Sequence, residues 1–99
     1  MTHFSPETKE KIAELCKKNK VRELSLFGSR ARGDNGPDSD YDLLVDFRTD
    51  SNIDLFDYAR MQVDLEELIG TKVDLVEKAG LKPLIRDAVL AEAQSIYEG

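Results

Sequence analysis

Two aspartates, Asp40 and Asp42, are separated by one residue at the start of an apolar segment with the sequence YDLLVDF. In an extended strand, residues i and i+2 point to the same side, with Cα atoms about 6.8 Å apart. The pair can therefore present two carboxylates on one face, near the spacing at which they share a divalent cation. Mg²⁺ prefers oxygen ligands and keeps waters and substrate phosphates in its other positions. The pattern predicts a metal-dependent phosphate site.

Asp74 repeats this arrangement in a later apolar segment, where Val73 and Leu75 are expected on the opposite face. If the two segments form neighbouring strands, Asp74 approaches the first pair of carboxylates. It can then deprotonate an incoming hydroxyl or join the ligands of a second metal ion. Asp46 lies on the same side as Asp42 but further along the strand, four residues later. An isolated Asp-x-Asp pair is, however, often no more than a solvated sheet edge.

A glycine and a serine, Gly28 and Ser29, directly follow an alternating segment that is typical of a strand. Glycine lets the backbone approach a ligand closely, and free N–H groups at the start of a following helix can hold phosphate oxygens. The Ser29 hydroxyl adds a donor, and it can also simply cap the short helix. Arg30 and Arg32 are placed to contact phosphates, but they fit equally well as surface residues.

The composition narrows the chemistry that these residues can do. Cys16 is the only cysteine and His3 the only histidine, so a Cys/His zinc site and an intramolecular disulfide are excluded. His3 also lies in an N-terminus that is expected to fray, which disfavours a Ser-His or Cys-His catalytic pair. The groups that remain available for chemistry are hydroxyls, carboxylates, arginines, lysines and backbone amides.

The net charge of −6 is unevenly distributed. Residues 1–33 carry eight Lys/Arg and four Glu, whereas residues 34–74 carry three Lys/Arg and twelve Asp/Glu. A protein that binds long nucleic acid needs a basic groove, and this chain lacks the basic surplus. No segment approaches the ~20 apolar residues of a membrane span, and no signal peptide is visible. We therefore expect a cytoplasmic protein with one domain over residues 1–99.

Hydrophobic periodicity predicts the elements that carry the candidate residues. Strict alternation predicts strands, and three- to four-residue spacing predicts amphipathic helices. Ser5 and Pro6 are typical of an N-cap and a first helical position. The predicted order fits a small α/β domain: a helix ending near residue 19, strand 21–27, short helix 29–32, strand 41–47, helix 52–69, strand 72–77 and a last helix from about residue 83.

Local signals set the ends of the two later helices. Ser51 predicts an N-cap with Asp54 at the capping-box position, and Gly70 predicts the C-terminal end of the same helix. The last helix is expected to carry an apolar face that continues to Ile96 and is interrupted by Glu92.

Three segments together resemble the DNA polymerase β-type nucleotidyltransferase superfamily, and in particular its minimal nucleotidyltransferase (MNT) group. They are GSRARG at residues 28–33, SDYDLLVDF at residues 39–47 and VDLV at residues 73–76. The similarity extends over residues 5–98. It implies a small mixed β-sheet flanked by helices, and transfer of a nucleoside monophosphate from a nucleoside triphosphate with two Mg²⁺ ions.

The resemblance also implies roles for individual residues. It assigns binding of the triphosphate to the segment that contains Gly28, Ser29, Arg30 and Arg32. It assigns metal binding and catalysis to three carboxylates: Asp40, Asp42 and Asp74.

Stand-alone MNT proteins are similar to antitoxins that are paired with HEPN-domain ribonucleases and adenylylate a tyrosine of the toxin. The resemblance therefore implies ATP as the donor and a HEPN-type toxin as the partner that supplies the acceptor hydroxyl. Two alternatives stay open at this point. One is a binding module that neutralises its partner by occlusion, with a dispensable site. The other is a nucleotidyltransferase that acts on a small molecule or an RNA end.

Overall fold

Residues 4–99 are described by a computed structural model, and His3 lies outside them. The elements alternate along the chain, much as the periodicity predicts. They are α1 (Pro6–Lys18), β1 (Val21–Phe27), α2 (Ser29–Arg32), β2 (Tyr41–Phe47), α3 (Leu55–Ile69), β3 (Val73–Glu77), a 3-10 helix (Lys78–Gly80), α4 (Pro83–Glu92) and β4 (Gln94–Glu98). Among these residues, no helix has the length and hydropathy that a membrane crossing requires.

The four strands form one mixed sheet in the order β3-β2-β1-β4. β1 pairs antiparallel with both β2 and β4, whereas β2 and β3 are parallel. Parallel neighbours need a long crossover connection, and α3 supplies it. This confirms the prediction of a small mixed β-sheet flanked by helices.

One face of the sheet carries the larger hydrophobic core. The helices α1 and α3 pack on it, and the alternating inward residues of three strands meet them. The buried side chains are Ile12, Cys16, Met61 and Leu65 from the helices, and Val21, Leu24, Leu26, Leu43, Val45, Val73 and Leu75 from the strands.

The opposite face carries a smaller cluster, which is covered by α4. Its buried members are Leu44, Leu81 and Val89, with Phe27 and Val76 packed against them. Because side chains alternate along a strand, residues two positions before Leu44 and Val76 also lie on this face. Asp42 and Asp74 occupy those positions, so the candidate carboxylates share the α4 side of the sheet.

The start of α3 corrects the predicted cap. Asp54, rather than Ser51, is the N-cap, and its carboxylate accepts a hydrogen bond from the Asp57 N–H at 2.8 Å. The Asp57 carboxylate accepts in turn from the Asp54 N–H at 3.4 Å, which completes a capping box. The cap therefore lies three residues later than predicted, because residues 51–54 stay outside the helix.

The last helix was also predicted too long. It ends at Glu92, and the residues that follow form β4, so Ile96 belongs to a strand rather than to the helical stripe. Tyr97 pairs with Leu24 of β1, and both Ile96 and Tyr97 pack against the larger core. Pairing with an open strand edge thus outweighs the helical periodicity of the sequence.

We expect Asp54→Ala to destabilise the protein by about 1 kcal/mol, because it removes the side-chain acceptor of the capping box. In a domain of this size that corresponds to a fall in melting temperature of about 4–8 °C. Thermal unfolding checks this result. Ser51→Ala is the matched control and is expected to leave the melting temperature unchanged; an equal fall in both variants would restore Ser51 as the cap.

Burial raises the pKa of the Cys16 thiol to about 12, and its side chain has no exposed surface. In the unfolded chain the thiol ionises at a pKa of about 8.5, so its protonated form is favoured by folding. The stability advantage of the wild type over Cys16→Ala is therefore full below that pH and shrinks as the pH rises toward 12. Urea unfolding at several pH values measures this difference, and a constant difference would contradict it.

Candidate active site

Strand pairing brings three distant segments of the chain to one place. In the parallel register of β2 and β3, Asp42 is opposite Asp74. In the antiparallel register of β1 and β2, Asp42 is opposite Phe27, the last residue of β1. Gly28 follows Phe27, so the Gly-Ser turn lies beside Asp42, and Asp74 lies on the other side of Asp42, on β3. The sequence prediction that Asp74 approaches the Asp-x-Asp pair is thus consistent with the observed register.

Gly28 is buried and has backbone angles that only glycine adopts readily, with φ 78° and ψ −157°. A Cβ atom at this position would overlap Asp42 Oδ2 and lie 3.0 Å from Asp42 Cγ. The absent side chain therefore makes room for a carboxylate of the protein itself. The Asp42 carboxylate therefore packs directly against the Gly28 backbone.

The carboxylates influence one another. Asp42 is half-buried, and burial raises its pKa; repulsion from Asp74 and Asp40 raises it further, and Arg32 opposes the rise. Asp40 and Asp74 are exposed to solvent. Their donor atoms are all oxygens, which is the set that Mg²⁺ prefers. Within residues 4–99, however, no three acidic, histidine or cysteine side chains are already gathered as a metal-binding group.

Arg30 connects the Gly-Ser turn to the segment that leads into β2. Its Nε and Nη2 atoms donate to the Ser39 carbonyl at 3.0 and 2.7 Å. Its guanidinium also lies over the Tyr41 ring, 4.1 Å from the ring centre. Since Ser39 directly precedes Asp40, Arg30 ties the turn to the start of the Asp-x-Asp pair. A contact between Arg30 and phosphate stays a prediction.

Arg32 and Gly28 share a partner that the sequence analysis did not select. Arg32 Nη1 donates to Glu92 Oε2 at 3.0 Å, and the Gly28 N–H donates to Glu92 Oε1 at 3.1 Å. Arg32 Nε also donates to Asp34 Oδ2 at 3.1 Å. Glu92 was visible in the sequence only as the charged interruption of the apolar face of the last helix. A charged residue on an apolar helix face was thus the one sequence signal that could have pointed to Glu92 as a site residue.

The sequence matches the nucleotidyltransferase domain family over residues 9–96. The chain belongs to this family. The match includes every candidate site residue, and it confirms the resemblance inferred from the three sequence segments.

Curated relatives agree with this assignment. A Thermococcus cleftensis protein named protein adenylyltransferase MntA is 43% identical over 79 residues, which cover 80% of this chain and 78% of the relative. A Methanocaldococcus jannaschii protein, whose name proposes it as a protein adenylyltransferase, is 37% identical over 90 residues. That alignment covers 91% of this chain and 95% of the relative.

Solved structures share the fold of this nucleotidyltransferase. One, described as a minimal nucleotidyltransferase, has a TM-score of 0.74 and 40% identity. The alignment covers 95% of this chain and 98% of the chain in that structure. Another contains a tri-AMPylated Shewanella oneidensis HEPN toxin in complex with an MNT antitoxin. It has a TM-score of 0.67 and 20% identity, and the alignment covers 94% of this chain and 71% of the antitoxin structure's chain. The second likeness shows the fold alone.

We expect Gly28→Ala to displace the Asp42 carboxylate, because the added Cβ would occupy its position. Gly70→Ala is the matched control, since Gly70 also has a positive φ, 81°, but nothing within 4 Å of the added atom. Both variants are expected to lose about 1–3 kcal/mol of stability from backbone strain.

Only Gly28→Ala is expected to move the Asp42 pKa toward its ordinary value, because displacement exposes the carboxylate to water. Carbon-13 NMR titration of the Asp42 carboxyl group measures this in both variants. An unchanged Asp42 pKa in Gly28→Ala would refute the packing argument.

Proposed function

We propose that this protein transfers AMP from ATP to a hydroxyl group of a partner protein, and that the partner is a HEPN-type toxin whose tyrosine is the acceptor. The observation that carries the proposal is the contact between the Gly-Ser turn and Asp42, with Asp74 in register beside it. This arrangement joins a turn that can hold phosphates to carboxylates that can hold cations. The protein adenylyltransferase relatives support the substrate class.

The reaction needs one bond to form and one to break. The acceptor oxygen bonds to the α-phosphorus of ATP, the bond to the bridging oxygen of the β-phosphate breaks, and pyrophosphate leaves. Asp74 is exposed at the edge of the site, where it can accept the proton of the attacking hydroxyl. When bound, Mg²⁺ neutralises the charge of the triphosphate and activates the attacking oxygen.

The residues of the chain divide these tasks. The segment that holds the triphosphate comprises Gly28 and Ser29, with Arg32 beside it. The carboxylates that would hold two Mg²⁺ ions are Asp40, Asp42 and Asp74. Because Asp42 is fixed against Gly28, the cation ligands and the phosphate donors keep a constant separation. Preorganisation of this kind lowers the barrier, since little rearrangement is needed in the transition state.

The acceptor is proposed to come from outside these 99 residues. The exposure of Asp40 and Asp74 leaves the site accessible to the side chain of another protein. A solved neighbour in which an AMPylated HEPN toxin is bound to an MNT antitoxin provides a precedent for such a pair. ATP as the donor also supports the cytoplasmic location expected from the sequence.

The proposal is tested with ATP labelled at the α- or the γ-phosphate, incubated with Mg²⁺, this protein and a purified HEPN-type toxin. We expect label to reach the partner from the α-phosphate only, and mass spectrometry to locate AMP on a tyrosine. Asp42→Asn is expected to reduce labelling about 100-fold or more, because it removes a charge that the transition state requires. Chelation of Mg²⁺ is expected to abolish labelling.

Asp46→Asn is the matched control. It changes the same residue type on the same strand and face, but Asp46 lies at the far end of β2, where it pairs with Arg22 at 3.5 Å. It is expected to keep wild-type labelling. Equal labelling by wild type and Asp42→Asn would refute catalysis at this site. Complete absence of label, with a stable complex that survives Asp40→Asn/Asp42→Asn, would favour neutralisation by occlusion.

A further inference from the structure

The Gly-Ser turn continues into a helix, α2, that is too short to be stable without contacts to the rest of the protein. α2 has four residues, whereas isolated helices shorter than about 12 residues are marginal in water. Its position relative to the carboxylates must therefore be imposed by neighbouring groups. Arg30 provides one anchor, through the Ser39 carbonyl.

A second anchor comes from the C-terminal part of the chain. Glu92 is the last residue of α4, and its carboxylate accepts hydrogen bonds from two groups of the turn and α2. One oxygen accepts from the Gly28 N–H at the start of α2, and the other accepts from Arg32 at its end. One carboxylate thus links the backbone at the start of α2 to the side chain of its last residue.

Gln94 reinforces the same contact two residues later. Its Nε2 donates to the Ala31 carbonyl at 2.8 Å. In the sheet, Gln94 pairs with Leu26 of β1, just before the Gly-Ser turn begins. The segment 92–94 is therefore fixed to the strand that leads into the turn, and its side chains hydrogen-bond to the turn and to α2.

The placement of Glu92 carries an electrostatic disadvantage. It adds a negative charge beside Asp42, and it raises the Asp42 pKa through repulsion. It would also repel an incoming triphosphate. A carboxylate at this position needs a compensating role, and its two hydrogen bonds to the turn indicate what that role is.

We propose that Glu92 is a positioning residue for the triphosphate: it holds the Gly28 N–H and Arg32 so that the turn keeps its place beside Asp42 when ATP binds. This inference rests on the proposed function. It assigns the Gly28 N–H to Glu92 rather than to a phosphate, so the triphosphate is held by the remaining groups of the segment.

Two substitutions separate geometry from charge. Glu92→Gln removes the charge and keeps one acceptor oxygen for the Gly28 N–H, whereas its amide NH2 cannot accept from Arg32, which keeps its contact with Asp34. Glu92→Asp keeps the charge but shortens the side chain by one methylene, which withdraws it from both donors. Asp87→Asn is the control, because Asp87 lies exposed on the same helix.

The first measurement is binding of α,β-methylene-ATP with Mg²⁺ by titration calorimetry, since this analogue cannot be cleaved at the α–β bond. We expect Glu92→Gln to bind within about threefold of wild type and Glu92→Asp to bind about tenfold more weakly, as for loss of hydrogen bonds to a charged group. Asp87→Asn is expected to match wild type. Thermal unfolding verifies that each variant is folded.

The second measurement is hydrogen exchange at the Gly28 amide, followed by NMR without nucleotide. Glu92→Gln is expected to keep the Gly28 amide protected, and Glu92→Asp to expose it. This readout depends only on the contact within the protein.

Three results would overturn the inference in distinguishable ways. Equal analogue binding by wild type and Glu92→Asp would reduce Glu92 to a structural contact. Tighter binding by Glu92→Gln than by wild type would make Glu92 an obstacle that phosphate must displace. Failure of the wild type to bind the analogue at all would refute the proposed function, and the inference with it.

Discussion

The parallel register of β2 and β3 is the constraint on which the rest of the site depends. It sets Asp42 opposite Asp74, and it is held by apolar residues that alternate with these carboxylates. A slip of one residue would turn Asp74 toward the core formed with α1 and α3, where an unpaired charge is costly. The hydrophobic pattern of β3 therefore fixes the position of a candidate site carboxylate.

The larger hydrophobic core and the candidate site lie on opposite faces of the sheet. The face under α1 and α3 contains most of the fully buried side chains and no candidate site residue. The face under α4 contains a small cluster and the mutually repelling carboxylates. Burial on the first face offsets the repulsion on the second, so the domain tolerates several like charges in close proximity.

Much of the candidate site could be predicted because its signals are local. The Asp-x-Asp spacing, the alternation around Asp74 and the glycine after β1 each depend on neighbours in sequence. The other outcomes depend on distant residues. Residues 94–98 form a strand because β1 offers an open edge, and Glu92 contacts Gly28 across 64 positions. The misplaced cap of α3 has a simpler cause, since several residues that favour caps lie within four positions of one another.

The contact between Gly28 and Asp42 also restricts how this chain can change over time. A side chain at position 28 would be opposed twice, by the backbone angles and by the carboxylate already in the space. Gly70 faces only the first restriction, and an asparagine tolerates its left-handed conformation. Glycine is therefore the residue that position 28 requires, whereas position 70 can also accept asparagine.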